Sequence, residues 1–372
     1  MRVLEEARAL EEQGCDLIHL EVGEPDFLTP GAVVTAAGEA LASRPLGYTP
    51  AAGLPALRQA IAGYYGWRYG LDIDPARVLV TPGGSGALQL ALMAILDAGD
   101  RVLLTDPGYP CNRHLVSLAG GVPDALPVWP EQDYQPTLAA LEQAWTPRTR
   151  ALMLATPANP TGTTLTPARL GALHDLVASQ AGALIVDEIY QGLLYEGEDH
   201  SALALNSEHV FVANSFSKYF GMTGWRLGWL VAPQAFTEVL VRLAQNLYLA
   251  PPTLAQYAAG VALAPALRPE LDRRRDRLRA RRDLLIPALT SLGFELPAWP
   301  RGAFYLYLRA PADQPTAAAL AARLLQQGGV AVTPGCDFGT NETSTMLRIA
   351  YTQSRKRLQV AIDRIATVLR DR

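Results

Sequence analysis

Lys218 closes the tract Asn214-Ser215-Phe216-Ser217-Lys218, which follows an apolar run at residues 210–213. A partly buried lysine can lose its proton and attack a carbonyl, whereas an arginine stays charged at any accessible pH. A solvated surface cation is the ordinary alternative. It is weakened here because the chain carries 30 arginines and only two lysines, Lys218 and Lys356. A coding bias toward arginine accounts for the ratio, and against such a bias a retained lysine calls for a reason. Arg226 comes eight residues later, in Gly224-Trp225-Arg226.

Other reactive or ligand-binding residue types also stand at the ends of short apolar runs. Asp187-Glu188 follows the run at 183–186, and a carboxylate ending a buried strand is costly unless it meets a cation or hydrogen-bond donors. Either a structural ion pair or a functional acid meets that requirement, and a turn after it would aim Tyr190 into the same crevice. Asn159 lies in Thr156-Pro157-Ala158-Asn159-Pro160-Thr161-Gly162, a stretch rich in turn dipeptides. Tyr109 lies in Asp106-Pro107-Gly108-Tyr109-Pro110, where an aromatic could stack on a flat ligand or simply pack on a turn. Gly83, Gly84 and Ser85 belong to Thr81-Pro82-Gly83-Gly84-Ser85-Gly86, placed between the run at 78–80 and a helix expected to start near Ala87. Glycines before a helix N-terminus allow close approach of a phosphate, and a plain tight turn would use the same residues. The spacing is neither GxGxxG nor GxxxxGK[ST], which argues against a dinucleotide site or a P-loop.

The elements that must position these residues follow from the same runs. Apolar segments at 78–80, 102–105, 151–155, 183–186, 210–213 and 227–231 alternate with helical patterns such as 87–96 and 167–179. That alternation is the signature of an α/β fold with a mostly parallel sheet, whose ligands bind beyond the carboxyl ends of the strands. After residue 267 the pattern changes to a long arginine-rich helix at 268–292, with Leu271, Leu278, Leu284, Leu285 and Leu289 as its buried stripe. Strands at 303–308 and 347–351 and a helix at 316–327 complete a smaller α+β domain, to which residues 16–22 add a strand. The expected division is a large domain at 31–266 and a small domain built from 1–30 and 267–372.

Composition narrows the function. With 49% apolar and 18% charged residues and a net charge of −4, the chain fits a globular protein without the basic footprint of a nucleic-acid binder. Three widely spaced cysteines, Cys15, Cys111 and Cys336, imply no disulfide framework and fit a cytoplasmic protein. No metal-ligand spacing occurs among the cysteines and five histidines. The acids Glu5 and Glu6 do not fit a signal peptide. The longest uncharged stretch, 243–267, is broken by Asn246, Pro251-Pro252 and Gln256, so no membrane span is expected.

Taken in order, from Glu21-Val22-Gly23-Glu24-Pro25-Asp26-Phe27 through Ser215-Phe216-Ser217-Lys218-Tyr219-Phe220-Gly221-Met222-Thr223-Gly224-Trp225-Arg226 to Leu347-Arg348-Ile349, the chain resembles the class I/II aminotransferases, which are fold type I pyridoxal-phosphate enzymes. The resemblance implies roles residue by residue. Lys218 matches the lysine that holds pyridoxal 5'-phosphate as a Schiff base and moves the substrate proton. Asp187 matches the acid that keeps the pyridine nitrogen protonated, and Tyr190 and Asn159 match the partners of the ring's phenolic oxygen. Gly83, Gly84, Ser85, Ser215, Ser217 and Arg226 match the phosphate site, and Tyr109 the stacking aromatic. Arg348 matches the clamp for the substrate α-carboxylate, with Gly23 brought against the same group and Asn159 beside it. Tyr48, in Gly47-Tyr48-Thr49-Pro50, matches a tyrosine that reaches the phosphate of the partner subunit, which implies a homodimer.

The implied activity is ping-pong transfer of an amino group from an L-amino acid to a 2-oxo acid. A β-eliminating carbon–sulfur lyase shares every cofactor residue and is the nearest rival. An aminotransferase-like ligand-sensing module would need a DNA-binding domain, for which the chain offers no room before Gly23. The chain also starts close to that motif, so the arm that often precedes it is expected to be short or absent. Dicarboxylate-specific relatives place an arginine three residues before the aromatic of a segment resembling Tyr248-Leu249-Ala250-Pro251-Pro252. Gln245 stands there instead, with Arg242 nearby, so neutral amino donors are expected.

Overall fold

The computed structural model describes residues 2–370. Met1, Asp371 and Arg372, the extremes of the segments assigned to the small domain, lie outside the described residues. The described residues form twelve strands, namely β1 (Ile18–His19), β2 (Val78–Thr81), β3 (Arg101–Asp106), β4 (Val122–Pro127), β5 (Thr149–Ala155), β6 (Ala183–Asp187), β7 (Val210–Ser215), β8 (Gly228–Val231), β9 (Tyr305–Arg309), β10 (Val330–Ala331), β11 (Thr333–Pro334) and β12 (Met346–Ala350). Strands β2 to β8 form a seven-stranded sheet in the order β2-β8-β7-β6-β5-β3-β4. It is parallel except for β8, which runs antiparallel to both β2 and β7. The expected α/β architecture is therefore present.

Both faces of this sheet are covered, and side-chain alternation explains how. Leu152, Leu154, Leu184, Val186, Val210 and Val212 join one buried cluster, while Ala151, Met153, Ala183, Ile185, Phe211 and Ala213 join another. A strand with period two that is apolar at every position must bury both sides, as parallel strands do. Helices at Gly83–Ile95 and Thr237–Tyr248 cover the second face. The Pro167–Ser179 helix lies on the first, starting at Pro167 with Thr166 accepting from the Arg169 amide at 3.2 Å. Proline at the first helical position loses no bond, and the threonine cap satisfies a free N–H.

A second, three-stranded antiparallel sheet has the order β11-β12-β9, and β1 pairs in parallel with β10. The start of the chain is thus joined to its C-terminal part, although only Ile18–His19 of the expected residues 16–22 form the strand. The long helix spans Arg268–Ser291, with Leu271, Leu278, Leu285 and Leu289 buried.

Three expectations need correction. Strand β4 was not foreseen, because Pro123, Asp124 and Pro127 oppose strand structure. It is an edge strand that pairs only with β3, where a missing N–H on the open side costs nothing. The helix after β2 is bounded at Gly83 rather than near Ala87, so Gly84, Ser85 and Gly86 belong to its first turn, while Gly83, with φ of 75°, still makes the turn into it. Leu284 is only half-buried and Arg281 and Arg282 take buried positions instead, because their guanidinium groups find acceptors in the Asp26 carboxylate and the Pro300 carbonyl.

Gly228 brings β8 against the start of the Gly83–Ile95 helix. A Cβ there would lie 2.6 Å from the Gly83 carbonyl carbon, 2.7 Å from the Gly84 nitrogen and 2.7 Å from the Asn214 oxygen, all backbone atoms. Gly228→Ala is expected to lower unfolding free energy by about 1–3 kcal/mol through overpacking. Gly260→Ala, with nothing within 4 Å in a helix, is expected to be neutral or stabilising by up to ~1 kcal/mol. Denaturant unfolding of both variants checks the pair, and equal effects would refute the steric account.

Candidate active site

The residues singled out in the sequence converge at the carboxyl edge of the large sheet. Asp187 ends β6, Ser215 ends β7, Asn159 follows β5 and Tyr109 follows β3. Gly84, Ser85, Tyr109, Asp187, Ser215, Ser217, Lys218 and Arg226 line one cavity. Lys218 and Tyr109 also line a neighbouring cleft of about 470 Å³, together with Gly23, Asn159, Tyr190, Tyr305 and Arg348.

Lys218 donates from Nζ to the Gly23 carbonyl at 2.7 Å. Burial pulls its ammonium down to about 8; Glu24 and Asp187 oppose this, while the Arg348 and Arg226 charges reinforce it. The amine therefore reaches its neutral, nucleophilic form far more readily than a solvated lysine. Burial likewise pushes the Asp187 carboxyl up to about 7, against the Ile189 amide, which donates to Oδ1 at 3.1 Å, and the Lys218 charge. Glu188 beside it is pushed up to about 8 by burial, but its oxygens accept from Ser201 Oγ at 3.1 and 2.9 Å and from the Ala202 amide at 2.6 Å. Glu188 is thus fully engaged in holding the chain after the β6 turn, while Asp187 presents its carboxylate to the cavity.

Ser215 Oγ donates to Ser217 Oγ at 2.9 Å and accepts from the Ser217 amide at 3.1 Å, which folds the loop after β7 into a polar pocket wall. Arg226 takes a left-handed backbone with φ of 53° and donates to the Thr223 carbonyl at 3.1 Å. Its guanidinium lies against Gly83, where a Cβ would approach Nη2 to 2.7 Å. Gly84 faces Ile189, with a Cβ 3.0 Å from its Cγ2. A side chain at Gly83 would push Arg226 out of its place, and one at Gly84 would crowd Ile189.

Arg348 lies on β12 and is buried. It donates from Nη1 to Asn159 Oδ1 at 3.0 Å and from Nη2 to the Glu21 carbonyl and to Thr333 Oγ1. Its guanidinium carbon lies 4.4 Å from the Tyr305 ring centre and 4.7 Å from that of Phe338. Nε is buried and has no protein partner. Tyr190 shares a 2.8 Å hydrogen bond with Tyr305 through their hydroxyls. Gly23 passes so close to Tyr305 that any Cβ would collide with the hydroxyl.

Tyr305 and Phe338 were not singled out in the sequence. The strand carrying Tyr305 was expected, but its partners Gly23, Tyr190 and Arg348 come from three distant segments. Tyr48 stands apart from the rest: it is 86% exposed and lines neither the cavity nor the cleft.

This donor set suits pyridoxal phosphate. Two serine hydroxyls, a guanidinium and the first turn of a 13-residue helix match a phosphate dianion. A buried acid with one internal bond matches a cationic ring nitrogen, and a lysine with a readily lost proton matches an aldehyde. Among the described residues no cluster of histidine, cysteine or acids could hold a metal, and no helix is long and apolar enough to cross a membrane.

Comparison with known proteins identifies the family. The family model for aminotransferase class I and II matches residues 15–365. The valine–pyruvate aminotransferase of Mycobacterium tuberculosis is 38% identical over 355 residues, covering 95% of this chain and 91% of that protein. The aspartate/prephenate aminotransferase of Thermus thermophilus is 39% identical over 367 residues, covering 98% and 94%. Among solved structures, an aminotransferase from Mycobacterium tuberculosis superposes with a TM-score of 0.96 at 37% identity, covering 100% of this chain and 96% of that one. An aspartate aminotransferase from Thermus thermophilus solved with maleate gives 0.94 at 38%, covering 99% and 95%. A match this long and this close makes the chain a member of the class I and II aminotransferase family, transferases that work with pyridoxal phosphate.

Proposed function

We propose that this enzyme transfers the amino group of a neutral L-amino acid to a 2-oxo acid, with Lys218 as its catalytic residue. The observation that carries the reading is the pairing of a lysine lowered to about 8 with a buried acid raised to about 7 in one cavity. Perturbed groups of opposite charge type, brought together by burial, mark sites of proton transfer.

Pyridoxal phosphate, when bound, supplies the electron sink that makes the substrate Cα–H acidic. Ser85, Ser215, Ser217 and Arg226 would hold its phosphate, with Gly83 leaving room for the Arg226 guanidinium. Asp187 would meet its ring nitrogen, Tyr109 its face, and Tyr190 and Asn159 its phenolic oxygen. A carboxylate already desolvated gains most from a cationic N–H partner, which restores the charged form that burial disfavours. Arg348 binds the substrate α-carboxylate, and Asn159 and the Glu21 carbonyl hold the guanidinium in place. A planar guanidinium takes a carboxylate by two parallel bonds, which fixes the Cα–H direction as well as the charge. Lys218 Nζ, in its neutral form, takes the proton from Cα and returns it elsewhere as a general acid.

The small and large domains are proposed to divide at 31–266, the protein to work as a homodimer in the cytoplasm, and Tyr48 to reach the partner's phosphate site. The 86% exposure of Tyr48 in the single chain supports that reading. Neutral donors are favoured because the substrate cleft is walled by Val3, Leu4, Val22 and Phe338. Arg242 does not line the cleft and is turned to Glu238 at 3.0 Å, and Arg113, which does line it, donates to the Asp337 carbonyl at 3.3 Å.

Three measurements check these readings. Borohydride is expected to fix the cofactor irreversibly to Lys218, and peptide mapping that placed it on Lys356 would refute the assignment. Catalytic efficiency, kcat/KM, with leucine or phenylalanine is expected to exceed that with aspartate for a common acceptor. A tenfold preference for aspartate, about 1.4 kcal/mol in the opposite direction, would reject the neutral-donor reading. Co-expression of Tyr48→Phe and Lys218→Ala chains is expected to yield heterodimers with one intact site. A complete lack of restored activity above the parental homodimers would mean each site belongs to one chain.

A further inference from the structure

The carboxylate of Asp106 lies at the end of β3 and is buried, yet it lines no part of the cavity that holds Lys218. It accepts from the Thr340 amide at 3.0 Å, from Thr340 Oγ1 at 2.9 Å and from the Asn341 amide at 3.3 Å. The Asn341 side chain completes the attachment by donating to the Asp106 carbonyl at 3.4 Å and to the Val128 carbonyl at 3.1 Å. From the same turn, the Gly108 amide donates to the Phe338 carbonyl at 2.9 Å. Gly339 makes the contact possible, since any side chain there would collide with Asp106 Oδ1.

What this attachment holds is Phe338. The residue is 3% exposed, and its ring centre lies 4.7 Å from the Arg348 guanidinium carbon, with that of Tyr305 at 4.4 Å as the other aromatic neighbour. A guanidinium between rings is held by stacking and cation–π attraction, and its orientation follows theirs. The segment that carries Phe338 also supplies the Asp337 carbonyl that accepts from Arg113 at 3.3 Å. A carboxylate fixed to the rigid sheet thus governs a loop more than 200 residues away in the chain, and through it one face of Arg348.

We infer that Asp106 is a positioning residue for substrate carboxylate binding, anchoring the loop at residues 338–341 so that Phe338 fixes Arg348. This rests on the reading of Arg348 as the α-carboxylate clamp. Asp106 lines neither the cavity nor the cleft bordered by Lys218, so its influence falls on binding through Arg348 rather than on proton transfer by Lys218. Thr340 and Gly339 are the other two parts of the device, one as donor and one as the space it needs.

The test uses the holoenzyme and 4-methylpentanoate, a competitive probe that has a carboxylate but no amine. Asp106→Asn places an amide among N–H donors and is expected to raise the inhibition constant and the KM for leucine fivefold or more, with kcat at saturation within twofold. Loss of kcat with an unchanged inhibition constant would make Asp106 merely structural and overturn the inference. Thr340→Val is expected to weaken probe binding two- to threefold and Thr340→Ser to restore it. This pair decides the question if Asp106→Asn does not fold, and an unchanged constant in Thr340→Val then overturns it. Arg348→Lys is the separate check on the underlying reading. If it leaves probe binding intact, the clamp assignment itself has failed; if it weakens binding and the Asp106 and Thr340 variants do not, only the anchoring role has failed.

Discussion

Burying Lys218 and Asp187 together at the carboxyl edge of a parallel sheet is the constraint from which the surrounding structure follows. Each group is far costlier to bury charged than neutral, and the shifts to about 8 and about 7 register that cost. The surrounding protein produces both shifts by burial, and the C-terminal sheet and the N-terminal segment at Gly23 wall the cleft. The Gly23 carbonyl receives the Lys218 proton donor at 2.7 Å, which ties that wall directly to the amine. Glycine at 23 is required because Tyr305 occupies the place of a side chain. Tyr305 in turn engages Tyr190 on one side and Arg348 on the other. One buried pair thereby connects the two sheets.

The sheet makes this placement reproducible. Strand ends in a parallel sheet all point the same way, so residues from β3, β5, β6 and β7 arrive at one edge without any sequence proximity. The helix that begins at Gly83 adds free amide groups to the same edge, and the tight crossing with Gly228 keeps it there. Strand ends and a helix start therefore carry Asp187, Ser215 and Ser85, and strand β12 carries Arg348, while Gly23 and Phe338 of the substrate cleft are carried by loops. Those loops need their own anchors, and Asp106 and the Arg281–Asp26 pair, bidentate at 2.7 and 2.9 Å, are the ones with the clearest geometry.

Much of this arrangement was legible in the sequence, for a physical reason. A buried parallel strand must be apolar on both faces, so β5, β6 and β7 appear as uninterrupted runs, and the polar residue that ends each run is conspicuous. Lys218, Asp187, Asn159 and Arg348 were recognised that way or through the motif order. Strand β4 was hidden because an edge tolerates Pro123 and Pro127, which the interior would reject. The early start of the glycine helix was hidden because glycine has weak helical preference and the tertiary contact with Gly228 overrides it. Tyr305, Phe338 and Asp106 were hidden for another reason. Their importance lies in partners contributed by remote segments, and no local pattern encodes a hydrogen bond across 234 residues.

Whatever coding bias sets the overall ratio, the choice between arginine and lysine has a physical meaning at the buried cations. Arg282 is flanked by the Tyr195 and Trp299 rings at 5.1 and 4.9 Å and donates to Glu196 and to the Pro300 carbonyl. Arg68 sits among Tyr64, Tyr69 and Tyr219 and pairs with Asp199 at 2.6 Å. Arg281 holds Asp26 with two nitrogens, and Arg348 lies against Tyr305 and Phe338. Each of these sites uses a planar, permanently charged fork that stacks and donates in fixed directions, which an ammonium cannot reproduce. Lys218 occupies the one site in this comparison where permanent charge would be a defect. A guanidinium there could neither attack an aldehyde nor accept a proton from carbon. Burial that merely tightens an arginine's contacts brings a lysine's proton loss within reach of neutral pH, so the same desolvation that costs stability elsewhere generates the reactive amine here.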